Sequence, residues 1–233
     1  LIVISSYLKQ VYRNKNILII PPLVEKYETA FSESNETVKL VYAGNPFRKG
    51  IKVENPHKIK DRLDLTVEAI EQVSHTVKLS FDIYGITAEE YILAFPQHKD
   101  LIDLSGSIRF MGKRPMEEVQ VAVHEADYTI LLRERNRATM AGFPTKVVES
   151  ISQGTPVITT RTSDLEVYIT EGKQGFFVDI NDFDQLCSQL KVILSIDAQE
   201  RCQMKKYCQK DRRFLPENYK SETAEFLKCY IKN

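Results

Sequence analysis

From Val38 onward, short apolar runs alternate with segments whose apolar residues recur every three or four positions. That is the pattern of strands interleaved with amphipathic helices. Strands are predicted over residues 38–43, 77–84, 107–110, 127–132, 156–160 and 175–178. Helices are predicted over 61–73, where Leu63, Val67, Ile70 and Val73 make one stripe, over 87–95, and over 115–126, with Met116, Val119, Val123 and Ala126 on one side. A further helix runs from Pro144 to a stop at Gly154, and a short one begins at Ser163. Such an alternation predicts an α/β fold, a doubly wound parallel six-stranded Rossmann-like sheet. The rest is helical, over 182–195, 198–214 and 219–231. Ahead of the sheet, a strand (1–5), a helix (6–14) and a strand (17–20) form one unit that cannot close a sheet alone. The expected division is residues 1–24 as the tail of a preceding domain, 25–37 as a linker, 38–215 as the sheet domain and 216–233 as a C-terminal helix.

Composition narrows the choices. Lysine plus arginine equals aspartate plus glutamate at 32 each, so nothing in the overall charge favours a nucleic-acid partner. Hydrophobic content is 42%, and no apolar run nears the roughly 18 residues of a membrane-spanning helix. Cys187, Cys202, Cys208 and Cys229 form no Cys-x-x-Cys pair, and His57, His75, His98 and His124 have no metal-ligand spacing. They read as reduced thiols and ordinary histidines, which fits a cytoplasmic location. Asp182-Phe-Asp184 spells a metal-binding Asp-x-Asp, but it opens a helix, so capping is the expected role and no metal is expected. The first residue is Leu1, and the chain is expected to begin inside a longer protein.

The chemistry centres on residues 141–158, AGFPTKVVESISQGTPVI. A turn at Gly142 and Phe143 feeds a helix opened by Pro144, and a helix N-terminus suits a phosphate. Thr145, Lys146, Glu149 and Gln153 fall on one face of that helix, with Val147, Val148 and Ile151 elsewhere. A carboxylate one turn in can accept both hydroxyls of a ribose, although Lys146 and Glu149 equally make an ordinary surface pair. Ligands in open α/β sheets bind beyond the carboxyl ends of the strands. This nominates the loop Gly44-Asn45-Pro46-Phe47-Arg48-Lys49-Gly50, the loop Met111-Gly112-Lys113-Arg114, and the arginine-rich 133–137. The last reads equally well as an anion contact or a solvated charged loop.

The run GFPTKVVESISQGTPVIT resembles the signature of the family-four nucleotide-sugar glycosyltransferases of the two-domain GT-B fold. The resemblance implies that the chain is the C-terminal, donor-binding part of a retaining enzyme using a nucleotide-diphosphate sugar, without a further cofactor or metal. It implies a ribose contact at Glu149 and a phosphate contact at Lys49, with Arg48 substituting for an arginine the family places at Asn45. Gly44, Asn45, Gly112, Arg114, Gly142, Phe143, Pro144, Thr145 and Lys146 complete the implied donor site. A glycan or lipid-linked acceptor, and any contact with the inner face of a membrane, would involve the other domain, so this part alone is expected to be inactive. The chain departs from the family at Ala141, where most members carry a first glutamate. Ala141 keeps open a non-catalytic nucleotide-sugar-binding module. A Rossmann oxidoreductase fragment is a further alternative, against which the lack of Gly-x-Gly-x-x-Gly counts.

Overall fold

In the computed structural model, which describes residues 1–12, 16–25 and 32–231, the chain opens with β1 (Ile2–Val3), α1 (Ser6–Tyr12) and β2 (Leu18–Ile19). β1 and β2 pair in parallel as a separate two-stranded sheet. The large sheet follows with β3 (Val38–Ala43), α2 (Leu63–Ser74), β4 (Leu79–Tyr84), α3 (Ala88–Ala94), α4 (Lys99–Leu104) and β5 (Ile108–Gly112). Its second half comprises α5 (Met116–Glu125), β6 (Tyr128–Leu131), α6 (Arg137–Ala141), α7 (Thr145–Ser152), β7 (Val157–Thr159), α8 (Leu165–Tyr168) and β8 (Gly175–Phe177). The chain ends on α9 (Phe183–Leu194), α10 (Ala198–Gln209) and α11 (Lys220–Ile231).

The six strands are all parallel, in the order β5-β4-β3-β6-β7-β8. Two halves therefore wind outward from β3 and β6, as the alternation of strands and helices predicts. The two faces of the sheet are unequally filled. Val38, Leu40 and Tyr42 of β3 join one large apolar cluster with Leu63, Val67 and Ile70 of α2 and Leu186 and Leu190 of α9. The residues pointing the other way, Val41 and Ala43, join a much smaller cluster with Tyr84, Met111 and Val119, Ala122, Val123 and Ala126 from α5 and the residue after it. Val123 is the one buried residue of α5, and the end of this helix is tied to the end of α7 by His124 Nδ1 and Gln153 O at 2.7 Å.

Local sequence explains most ends. Thr87 and Glu90 make a reciprocal capping box at α3, and Asp182 caps α9 by accepting from Gln185 N at 2.8 Å, as expected for that aspartate. Several boundaries differ from the sequence reading. The helix expected over 198–214 stops at Gln209, and Phe214 turns inward to stack on Tyr168 and meet Phe143 edge-on. Short α4 and α6 lie where only loops were expected. Pro144 stands just before α7 rather than inside it, with an extended ψ of 103°. The helix expected over 6–14 is described as far as Tyr12, and the rest of that range, like the centre of the 25–37 linker, lies outside the described residues.

The N-terminal unit leans on the carboxyl end of the large sheet. Ser5 Oγ donates to Ala141 O at 2.9 Å, and Ser6 N donates to Asp164 Oδ2 at 2.7 Å. Farther along, Val24 N donates to Phe214 O at 3.1 Å, which lays the segment after β2 over the space between α5 and α7.

Candidate functional site

The chain leaves β3 toward α2 and leaves β6 toward α6 and α7, so a crevice opens where these adjacent strands part. The loops after β3 and β4 meet backbone to backbone here. A Cβ on Gly85 would lie 2.3 Å from Gly44 O, and a Cβ on Gly44 would lie 2.2 Å from Lys146 Nζ. Gly44 thus makes room for an ammonium.

That ammonium belongs to a buried cluster. Lys146 Nζ donates to Asp61 Oδ2 at 2.5 Å and to Tyr42 Oη at 3.2 Å, and it lies 4.6 Å from the centre of the Tyr42 ring. Tyr42 Oη donates to Asp61 Oδ2 at 2.8 Å, and Arg133 Nε donates to Asp61 Oδ1 at 2.7 Å. Arg133 is itself fixed by Thr160, whose Oγ1 accepts from Arg133 N and donates to Arg133 O. Burial pushes the Asp61 carboxyl up, but Lys146 and Arg133 together outweigh it and hold that carboxyl below its usual range. For Lys146, burial pushes the ammonium down and Asp61 restores only part of the loss. Burial, then Asp61, raises the Tyr42 phenol well above its ordinary value, so it stays a neutral donor. Beside this cluster Arg62 grips Asp64 at 2.9 Å and also bonds Glu134, whose carboxylate takes His57 Nδ1 at 2.8 Å.

Lys146 opens onto a cavity of about 440 Å³ between α5 and α7, over β3 and β6. Val41, Val119, Val123 and Leu131 form its apolar wall, and Lys146, Glu149, Ser150 and Gln153 form its polar one. The helical face expected to be polar is therefore the face the cavity meets, although exposed Thr145 stands outside the lining. The Glu149 carboxylate has no hydrogen-bond or ion-pair partner among the described residues. Gln153 is 9% exposed, and its Oε1 is buried without a partner. A cavity with apolar walls and a few convergent polar groups is the usual form of a small-molecule site.

The other nominated residues do not line this cavity and are in varied states. Lys49 Nζ bonds both Glu90 oxygens at 2.9 Å, while Arg48 and Asn45 are exposed. Gly112 is buried and accepts from Gly85 N at 2.8 Å, and Arg114 Nε donates to Met111 O at 2.9 Å. Phe143 is a core residue. The N–H of Gly142 closes α6 on Ala138 O at 3.0 Å, and Pro144 has none, so the donors before α7 are fewer than the sequence implied. Sequence reasoning missed Asp61, which precedes α2 without capping it, and could not separate buried Arg133 from exposed Arg135 and Arg137. Among the described residues, no three His, Cys, Asp or Glu side chains are grouped to hold a metal.

The chain is 30% identical over 128 residues to the D-inositol 3-phosphate glycosyltransferase of Corynebacterium urealyticum, spanning 54% of this chain and 29% of that protein. Its fold superposes on the apo lipopolysaccharide outer core galactosyltransferase WaaB with a TM-score of 0.71 at 16% identity, covering 98% of this chain and 61% of that one. It superposes likewise on Anabaena Alr3699/HepE in complex with UDP and glucose, with a TM-score of 0.69 at 16% identity, covering 98% and 62%. The chain spans less than two thirds of each of these proteins. The glycosyl transferases group 1 pattern matches residues 55–211, which run from the turn before Asp61 to the end of α10, and the chain belongs to that family.

Proposed function

We propose that this chain is the donor-binding part of a retaining glycosyltransferase that moves a sugar from a nucleotide-diphosphate sugar to a glycan or lipid-linked acceptor. The observation that carries this reading is the cavity at the strand parting, which places the Lys146 ammonium and the Glu149 carboxylate, without a partner among the described residues, about one turn apart on one helix. A carboxylate accepts from a vicinal diol and an ammonium holds phosphate oxygens, so the pair matches a ribose joined to a diphosphate. Anabaena HepE, of like fold, is described in complex with UDP and glucose, in keeping with such a donor.

In the transfer step the sugar–oxygen bond breaks and charge grows on the β-phosphate. Fixed cations and free N–H groups stabilise that charge without reorganising. Lys146 is already in place. Lys49 and Arg48 stand exposed on the loop after β3, and the Lys49–Glu90 pair, 43% and 31% exposed, is of the weak kind that a phosphate readily replaces. No metal is required by this reading. The acceptor would be held by a facing domain to which residues 1–24 belong, with the whole acting in the cytoplasm or at the inner face of a membrane. Ala141 supports a second reading as a nucleotide-sugar-binding module without transfer, since no carboxylate stands there.

Calorimetric titration with uridine, guanosine and adenosine diphosphates tests the donor site. One of them should bind, and Glu149→Ala should weaken it by about 1.5–3 kcal/mol, the range for hydrogen bonds to a charged group. Binding of none of the three overturns the assignment. Sugar transfer measured with the facing domain supplied separates an enzyme from a binding module.

A further inference from the structure

We propose that Asp61 is a positioning residue, holding the Lys146 ammonium at the mouth of the α5–α7 cavity as the seat for a donor phosphate, with Arg133 and Tyr42 fixing Asp61 in turn. This rests on the donor-site reading above. Four separate parts of the chain converge on one carboxylate: β3 through Tyr42, the segment before α2 through Asp61 itself, the end of β6 through Arg133, and α7 through Lys146. None of these contacts is needed to form a helix or strand, because Asp61 makes no cap at α2.

The geometry converges on the ammonium rather than on the acid. Gly44 leaves space that a Cβ would fill at 2.2 Å from Nζ, the Tyr42 ring lies under Nζ at 4.6 Å, and Asp61 grips it at 2.5 Å. An ammonium has three N–H donors, and Asp61 and Tyr42 take two of them. One donor remains on a side chain that is 28% exposed and lines the cavity, whereas Asp61 is 3% exposed. One buried carboxylate facing two cations also leaves positive charge in surplus, and a buried ion cluster of this kind is poor stabilisation by itself. An anion arriving at Lys146 completes the balance. The charged groups that act on Lys146 are Asp61 and exposed Lys60 ahead of α2 and Arg133 after β6; Tyr42 on β3 accepts from it, and Glu149 lies one turn along its own helix. Of these Asp61 favours the protonated form, while Arg133 and Lys60 oppose it.

The test is Asp61→Asn in the full chain, titrated with the bound nucleoside diphosphate and with its nucleoside from pH 7 to pH 10. Diphosphate affinity near pH 8 should fall about tenfold or more, the effect of losing an aligned charge-assisted contact, while nucleoside affinity changes less than about twofold. The alkaline loss of diphosphate binding should move down by about one pH unit or more as Lys146 loses its counter-ion. Equal losses for nucleoside and diphosphate with an unmoved alkaline limb overturn the inference. Gly44→Ala covers the case in which Asp61→Asn does not fold. It pushes the mobile end of Lys146 aside without touching Asp61, and it should give the same diphosphate-selective loss, whereas unchanged diphosphate affinity counts against the proposal. If no diphosphate binds the wild type, the donor-site reading fails. The pairing is then still decided by lysine side-chain NMR, where an equal Lys146 titration midpoint in wild type and Asp61→Asn overturns it.

Discussion

Strands β3 and β6 carry a buried aspartate with an arginine and a lysine at each of their two ends. At the carboxyl end these are Asp61, Arg133 and Lys146; at the amino end they are Asp127, Arg201 and Lys205. Asp127 ties the strands together, its N donating to Lys39 O and its Oδ2 accepting from Lys39 N, both at 2.8 Å. Arg201 Nε lies 3.2 Å from Asp127 Oδ1, and its guanidinium reaches the carbonyls of Asn35 and Ile196. Lys205 donates to the carbonyls of Ala126 at 2.8 Å and His124 at 3.1 Å, and it is 1% exposed. The charges are alike and the surroundings are not. The amino-end lysine is closed in by backbone oxygens, and burial pushes it down to about 8. The carboxyl-end lysine is held by side chains and opens on a cavity. A buried charge cluster therefore marks a site only where a donor is left over and space lies beside it; elsewhere the same residues hold a helix to a sheet.

Removing the two acids should cost the most and should separate the ends. Asp61→Ala and Asp127→Ala each strand buried cations, and each should lower unfolding free energy by about 3–5 kcal/mol in a urea titration. Saturating nucleoside diphosphate should return about 2.7 kcal/mol at a hundredfold excess over Kd in the Asp127 variant, and much less in the Asp61 variant. Equal rescue of both would erase the distinction.

Removing the lysines sharpens it in binding. Lys146→Met should weaken diphosphate binding by about 1.5–3 kcal/mol, whereas Lys205→Met should leave it unchanged. Calorimetry on both variants decides, and a matching loss at Lys205 would mean that the amino end is coupled to the cavity.

Acidity separates them a third way. The folded Lys205 titrates near 8 against an ordinary 10.5, so between those values the unfolded chain binds the extra proton and stability rises with pH. The gain relative to Lys205→Met should approach about 1.4 kcal/mol per pH unit from pH 8.5 to 9.5, below the range where the buried tyrosines titrate. Denaturation curves at those two pH values measure it, and parallel curves for wild type and variant would refute the closed environment.

The exposed loop after β3 should show the smallest effect. Neutralising Arg48 and Lys49 together should cost up to about 1 kcal/mol of diphosphate affinity at low ionic strength, and nearly nothing for the nucleoside. The loss should shrink as salt is added, unlike that at the buried Lys146. A loss insensitive to salt would place these residues in the cavity rather than in solvent.

Much of this was local and therefore legible. Period-2 and period-3.6 apolar patterns located the eight strands found among the described residues and the longer helices, and β3 begins and ends where its pattern does. The polar face of α7 followed from spacing alone, because residues three and four apart must share a side of a helix. α4 and α6, at six and five residues, are too short to show a period. Phe214 continued an apparent helical pattern but was drawn into the ring cluster with Phe143 and Tyr168 instead.

By itself, the sequence determined an alternating α/β chain, a loop leading into α7, and the Lys146–Glu149 pair on one helical face, since each depends on residues close together in the chain. Only the tertiary structure decided what these residues meet. Asp61 reaches Arg133 across 72 positions and Lys146 across 85, and Lys49 meets Glu90 across 41. Such pairs leave no mark in local pattern, because they form only when β3 and β6 become neighbours and the chain leaves them in different directions. The same packing opens the cavity between α5 and α7 and gives two similar sets of charges different surroundings at the two ends of the same strands.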